Sequence, residues 1–436
     1  MVGGTLNRPA DVAVARTDAA GRAVRIRLES IDVLRGIVMM LMALDHVREF
    51  LGYPSANPTD PATTTLALFF TRWITHICAP VFFLLTGTGA FLARSGRSDA
   101  ALSRFLLIRG AWLIGLEIVV VRCFGFQFNV DYRVTLLTVL WALGWSMIAL
   151  AVLVHLPARV VGALGVVMIA THNLFDGVRA SSLGALAPLW TMLHAPGVVL
   201  PGPHLVFAAY PLVPWIGVAA AGYGLGQIYA WPGRRPCDAA GGRPVHPSTS
   251  SGCPEPVEGQ GRRNLLWRIG LGLTAAFVLL RALNIYGDPQ AWTPRTSAAF
   301  TVLSFLNTSK YPPSLLFLMM TLGPALCLLS VFDRGTPRVL RPAAVFGRVP
   351  LFYFLVHLPL IHLLAVAVCA VQYGDAHWMF ESPILSRYPF TQPPGWGFGL
   401  PAVYLIWAGV VVVLYPLCRW FAELKQRRAD AWLRYL

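Results

Sequence analysis

The sequence predicts an all-α fold, a polytopic transmembrane bundle of about ten helices with both termini on the cytoplasmic side. Three observations carry this. The 436 residues are 56% hydrophobic and only 13% charged, with a mean hydropathy of +0.60, whereas a soluble domain carries about 25% charged residues. Apolar runs of about twenty residues recur along the chain, the length that crosses a hydrocarbon layer about 30 Å thick at 1.5 Å per residue. The arginines between those runs fall on alternate sides, among them Arg25, Arg94, Arg97, Arg159, Arg263, Arg338, Arg341 and Arg427. Such alternation marks cytoplasmic loops, so the net charge of +15 is a topological signal and not a nucleic-acid footprint.

Taken in order, the apolar runs place helices over 31–51, 68–93, 101–123, 134–155, 159–175, 205–230, 265–285, 313–332, 349–371 and 398–420. Residues 1–30 form a basic N-terminal segment without a cleavable signal, which makes the first helix an uncleaved anchor. Residues 31–231 are the first part of the bundle and 264–421 the second, followed by a basic tail over 422–436. Between the two parts, residues 232–263 contain PVHPSTSSGCPEPVEGQGRR. This Pro/Gly/Ser-rich stretch has no apolar period and reads as a disordered cytoplasmic loop. The loops near 52–67, 176–204, 286–312 and 373–397 are longer, poor in basic residues and assigned to the extracytoplasmic face. The seven cysteines show no CxxC spacing, which indicates neither a disulfide framework nor a metal site.

An ionisable side chain inside a membrane helix costs several kcal/mol unless it is paired, so each is a candidate for function. They are Asp32, Arg35, Asp45, His46, His76, Arg109, Glu117, Arg281, His357 and His362. Asp45 lies about fourteen residues into the first helix, roughly 21 Å from its cytoplasmic end. His76 begins the descending second helix and shares that depth. A carboxylate that fixes an imidazole and raises its basicity is a general-base arrangement, so Asp45, His46 and His76 form the candidate catalytic cluster. His357 and His362, taken singly, read as packing residues. Asp32 and Arg35 read as an i,i+3 ion pair, and Glu117 as a partner in an interhelical pair.

Arg27-Leu28-Glu29-Ser30-Ile31-Asp32-Val33-Leu34-Arg35-Gly36, followed by a Met-rich apolar helix, resembles the opening of the heparan-α-glucosaminide N-acetyltransferase family and its bacterial relatives. Cys78-Ala79-Pro80-Val81-Phe82-Phe83 with Gly87, Val139-Leu140-Trp141-Ala142-Leu143-Gly144, Lys310-Tyr311-Pro312-Pro313-Ser314-Leu315 and Gly347-Arg348-Val349-Pro350 follow in the same order. The resemblance covers about residues 25–420 without the low-complexity loop.

It implies acyl transfer across a bacterial inner membrane, from cytoplasmic acetyl-CoA to an amino sugar or hydroxyl acceptor on the far side. Acetyl-CoA is then the donor substrate and no metal is required. In the family an Asn late in the first helix and a His in the following loop form the reaction centre. Here Asp45 stands at the Asn position and the loop has no His, so His46 or His76 takes the imidazole's place. Arg35, Arg104, Arg109 and Arg348 are the candidates for the CoA phosphates. Asn307, Thr308 and Ser309 would add donors if their loop folds inward. The expected partners are the lipid bilayer, the donor and a glycan or amine acceptor, without nucleic acid, and a homodimer is compatible. The alternative is a multi-pass transporter or flippase, which would use the same buried charges as a substrate path.

Reporter fusions test the topology. Fusions after Arg97 and at the C-terminus are expected to read cytoplasmic, and one at Gln392 external; Gln392 and the C-terminus reading alike would refute the helix count.

Overall fold

The computed structural model describes residues 13–17, 23–54, 58–230, 257–381, 384–387, 389–428, 430 and 433. It is mostly helical, with 71% helix and 4% strand. The principal helices are α1 (Glu29–Leu51), α2 (Leu66–Leu92), α3 (Asp99–Gly115), α4 (Val139–Leu153) and α5 (Ala158–Phe175). The second part contributes α6 (Leu212–Leu225), α7 (Gly259–Leu283), α8 (Leu315–Phe332), α9 (Pro350–Tyr373) and α10 (Leu400–Arg427). Six of them, α2, α5, α7, α8, α9 and α10, are long and apolar enough to cross a membrane.

Their burial sorts them into two shells. Only 17% of the most apolar stretch of α10, 22% of α7 and 28% of α5 is buried, against 61% of α2 and 72% of α8. Exposed Leu405, Val412, Val413 and Trp420 on α10, and Leu271 and Leu279 on α7, are suited to lipid. The inner helices pack around α1. Its 23 residues span about 35 Å, but its polar groups keep it out of the group of six.

One contact fixes α1 at its first turns. A Cβ on Gly36 would lie 1.8 Å from the carbonyl oxygen of Ala343, and one on Gly347 would lie 1.8 Å from that of Asp32. The short helix Ala343–Arg348 therefore meets α1 backbone to backbone, and only glycine fits on either side. Gly87 on α2 and Gly222 on α6 repeat the pattern, each facing a carbonyl of the other helix. Small residues let membrane helices approach this closely and gain dispersion contacts that lipid does not supply.

Where the chain departs from the expected helices, local chemistry explains it. The stretches expected to open the fourth and sixth helices are strands instead, β1 (Val134–Leu137) and β3 (Leu205–Ala208), paired in parallel. β2 (Gly197–Leu200) joins β3 antiparallel. Pro211, itself extended at φ −61° and ψ 137°, is the residue from which α6 starts, and a residue preceding proline avoids the helical region. In α2, Pro80 offers no N–H to the carbonyl of His76, and the chain tightens into a 3₁₀ turn at Thr75–Ile77. α3 continues as a π-helix over Leu116–Phe126. Most of the low-complexity loop, up to residue 256, lies outside the described residues, as does most of the N-terminal segment. From Val257 the chain is already helical, so the helix expected from 265 begins earlier.

Gly36→Leu or Gly347→Leu must push α1 and its neighbour apart. Each is expected to lower stability by about 1–3 kcal/mol or more, read as a drop in the melting temperature of purified protein. Gly115→Ala is the control, since a Cβ there meets nothing within 4 Å.

Candidate functional site

Two cavities of about 190 Å³ each lie at opposite ends of α1, named inner and outer after the topology expected from the sequence. The inner one lies beside the first turns of α1 and the start of α9. Its charged lining is Asp32, Arg35, Arg109, Arg348 and Lys425, set in walls of Met, Leu and Phe. Arg35 donates to the carbonyl of Gly347 at 3.1 Å and lies 3.8 Å from the Asp32 carboxylate, so the expected i,i+3 pair is present. The two-glycine contact thus brings Arg35 and Arg348 to the wall of one cavity. Of the four arginines expected to bind the donor, Arg35, Arg109 and Arg348 line this cavity. Arg104 does not; it is exposed on α3.

The outer cavity is lined by Asp45, His46, Arg48, Glu49, Arg72, Lys310 and Tyr311, with Thr138 and Tyr210 from the ends of β1 and β3. Met42, Phe82, Val139 and Phe354 line both cavities. Four side chains therefore separate two polar compartments along one axis.

His46 Nδ1 lies 2.8 Å from Nε2 of His357 on α9. The Nδ1 of His357 lies 2.8 Å and 3.0 Å from the carbonyl oxygens of Phe354 and Tyr353. Carbonyls only accept, so the His357 proton sits on Nδ1, and its Nε2 takes a hydrogen bond from His46 Nδ1–H. This leaves His46 Nε2 with a lone pair. His357, expected as a packing residue, orients the imidazole of the outer cavity.

Asp45 does not fill that role. Its carboxylate receives a hydrogen bond from Arg48 at 3.0 Å and one from Arg72. His76 is buried against the ring of Phe317, 5.4 Å between centroids, and lines neither cavity. The reason is helical spacing: Arg72, Thr75, Ala79 and Phe82 share the cavity face of α2, which turns His76 toward α8. The expected triad is therefore not assembled; Asp45 and His46 share the cavity with different partners.

The remaining buried polar groups are structural. Glu117 is not in the expected ion pair; it accepts from the backbone N–H groups of Thr138 and Leu140, at 3.3 and 3.1 Å, and from the Thr138 hydroxyl. A carboxylate at that position caps α4 and favours its dipole. His362 lies between the carbonyls of Gly125 and Met379, as expected of a packing histidine. Asn307 donates to the Thr59 carbonyl and Ser309 to that of Pro312, so neither enters the cavity, nor does Thr308.

In their place stand Lys310 and Tyr311, the first two residues of the Lys310–Leu315 motif. The Lys310 ammonium lies 5.2 Å from the Tyr311 ring centroid. Burial pushes the Tyr311 phenol up, but Lys310 and Arg72 beside it and a hydrogen bond from Tyr210 bring it below the usual tyrosine range. Arg72, Lys310 and His357 carry most of what sequence reasoning missed. Arg72, four residues before His76, was legible as a buried cation, and Lys310 was legible from its motif.

The fold and its cavities define a helical membrane protein with polar compartments at both ends of a central helix. The family model of the heparan-alpha-glucosaminide N-acetyltransferase catalytic region matches residues 27–252, more than half of the chain, and the chain belongs to that family of membrane acetyltransferases. Lys310, Arg348 and His357 lie beyond the matched stretch. No curated protein matches the chain.

The Asp45 cluster makes a stability prediction. Asp45→Leu leaves Arg48 and Arg72 without their carboxylate, and breaking a buried pair this way costs about 3–5 kcal/mol. A melting temperature equal to wild type would show that solvent, and not Asp45, compensates the two cations.

Proposed function

We infer that this protein is a multi-pass inner-membrane acyltransferase that moves an acetyl group from cytoplasmic acetyl-CoA to an acceptor on the extracytoplasmic side. The observation that carries the reading is the pair of cavities sharing Met42, Phe82, Val139 and Phe354, cationic at one end and bearing an oriented imidazole at the other. On this reading the chain crosses the bilayer about ten times, with α1 and the shorter α4 included, and both termini are cytoplasmic.

Arg35, Arg109, Arg348 and Lys425 suit the phosphates of CoA at the inner cavity, and its apolar walls suit the pantetheine arm. A thioester passing the four shared side chains presents its carbonyl to the outer cavity. There His46 Nε2 takes the proton of the attacking amine or hydroxyl while a new C–N or C–O bond forms. The tetrahedral intermediate then collapses, the C–S bond breaks, and the proton returns to the CoA thiolate. His357 stabilises the positive charge that develops on His46 by accepting its Nδ1–H bond throughout. Arg72, Lys310 and Tyr311 are the donors available to the oxyanion. Asp45 holds the arginines in place, a role different from that of an imidazole orienter.

The test is transfer of label from [¹⁴C]acetyl-CoA by the purified chain in nanodiscs. His46→Ala is expected to reduce the rate about 10²–10⁴-fold, and His357→Ala to reduce it less while shifting the pH profile. His76→Ala should leave the rate within a few-fold of wild type. Arg348→Gln should raise KM for acetyl-CoA with a smaller effect on kcat. Wild-type turnover by His46→Ala would remove the proposed base.

A further inference from the structure

The outer cavity holds more positive than negative charge. Its lining contains three cations, Arg48, Arg72 and Lys310, and two carboxylates, Asp45 and Glu49. Asp45 is taken by both arginines, one carboxylate between two guanidinium groups. Among the described residues Lys310 makes no ion pair within 4 Å and holds its ammonium over Tyr311, while Glu49 lies within electrostatic reach of Arg48, Arg72 and Lys310 without an ion pair to any of them. The excess is one positive charge with Glu49 ionised and two with Glu49 protonated. An uncompensated cation in a site walled by protein and lipid is costly, so a ligand that supplies the missing anion gains its full electrostatic complement.

We propose that the outer cavity selects an acceptor carrying a phosphate or carboxylate beside its nucleophilic amine or hydroxyl, with Lys310 meeting the anion and Glu49 hydrogen-bonding the nucleophilic end. This rests on the acceptor being bound in the outer cavity, as the acyl-transfer reading requires. Glu49 follows His46 by three residues on α1, so the two side chains share one face of the helix and line the same cavity. A nucleophile held by Glu49 is thereby brought to the side of the His46 base. Lys310 lines the same cavity from a different element, a loop held at both flanks. Asp288 accepts from the Ser309 N–H at 2.9 Å and from the Ser314 hydroxyl at 2.6 Å, and Asn173 accepts from the Leu315 N–H at 2.9 Å. The separation of Lys310 from Glu49 is therefore set by the fold, which is what selection by charge spacing requires.

Binding is measured on the full chain in neutral-lipid nanodiscs without acetyl donor, by thermal stabilisation with glucosamine, glucosamine 6-phosphate, muramic acid and inorganic phosphate. Wild type is expected to bind one or both anionic sugars at least about tenfold more tightly than glucosamine, and the tighter of the two identifies phosphate or carboxylate as the recognised anion. Lys310→Met should bring the ratio to about one and Lys310→Arg should keep it. Glu49→Gln should weaken the three sugars without weakening inorganic phosphate. Equal wild-type affinities, no saturable binding of any sugar, or a preference that survives Lys310→Met would overturn the proposal. Failure of the acyl-transfer reading has a different signature: the binding preference present, with no label passing from [¹⁴C]acetyl-CoA to any of the sugars.

Discussion

The bundle is organised by the burial of a helix too polar for lipid. α1 carries Asp32 and Arg35 near one end and Asp45, His46, Arg48 and Glu49 near the other. Each of these groups would cost several kcal/mol against hydrocarbon. The solution is to surround α1 with protein. α2, α8, α9, one side of α10 and the short Ala343–Arg348 helix all pack on it, and the less buried α5 and α7, with the exposed side of α10, take the lipid-facing positions. The same constraint places the cavities. Polar side chains at the ends of α1 must face polar space, whereas its middle, with Val38, Met39, Met42 and Ala43, closes against apolar neighbours.

This arrangement separates two kinds of chemistry on one helix. At the inner end, the backbone contact between Gly36 and Gly347 brings two strands of sequence more than three hundred residues apart into register and leaves their neighbours Arg35 and Arg348 pointing into common space. At the outer end, His46 is oriented by a histidine and not by a carboxylate. That choice has an electrostatic logic. An imidazole bonded to a carboxylate is a stronger base but is also held as an ion pair, whereas one bonded to a neutral imidazole stays uncharged more readily and accepts a proton without a fixed counter-ion. With Arg48 and Arg72 already claiming Asp45, a neutral partner is the one the site can supply.

Much of this was legible in the sequence because membrane helices announce themselves by length and apolarity. The first helix was readable, and so was the family from the motif that opens it. What was not readable was the face each side chain takes. Helix length placed Asp45, His46 and His76 at one expected depth, but depth says nothing about rotation, and the face of α2 that begins with Arg72 turns His76 away. The partner of His46 comes from a helix more than three hundred residues later, a pairing that no local pattern encodes. The strands at 134–137 and 205–208 were hidden for another reason: a short apolar run reads equally as helix or strand, and only their mutual pairing settles it.

The outer wall shows how a loop can serve as rigidly as a helix. Arg281, at the end of α7, is buried with Asp288, their charged atoms 3.7 Å apart. Its guanidinium also donates to the carbonyls of Ser304, Phe305, Asn307 and Gln290. Alone, a buried ion pair is weak evidence for stability, because desolvation offsets most of its attraction. Here nearly every donor of the arginine has a carbonyl and both oxygens of Asp288 are used, one by the Gln290 N–H and the other by Ser309 and Ser314. Such a saturated network has few alternative arrangements. Its consequence lies one residue away from it. Lys310 and Tyr311 sit between the two anchored residues Ser309 and Ser314, so the polar groups they offer to the cavity are fixed by a network that never touches the cavity itself.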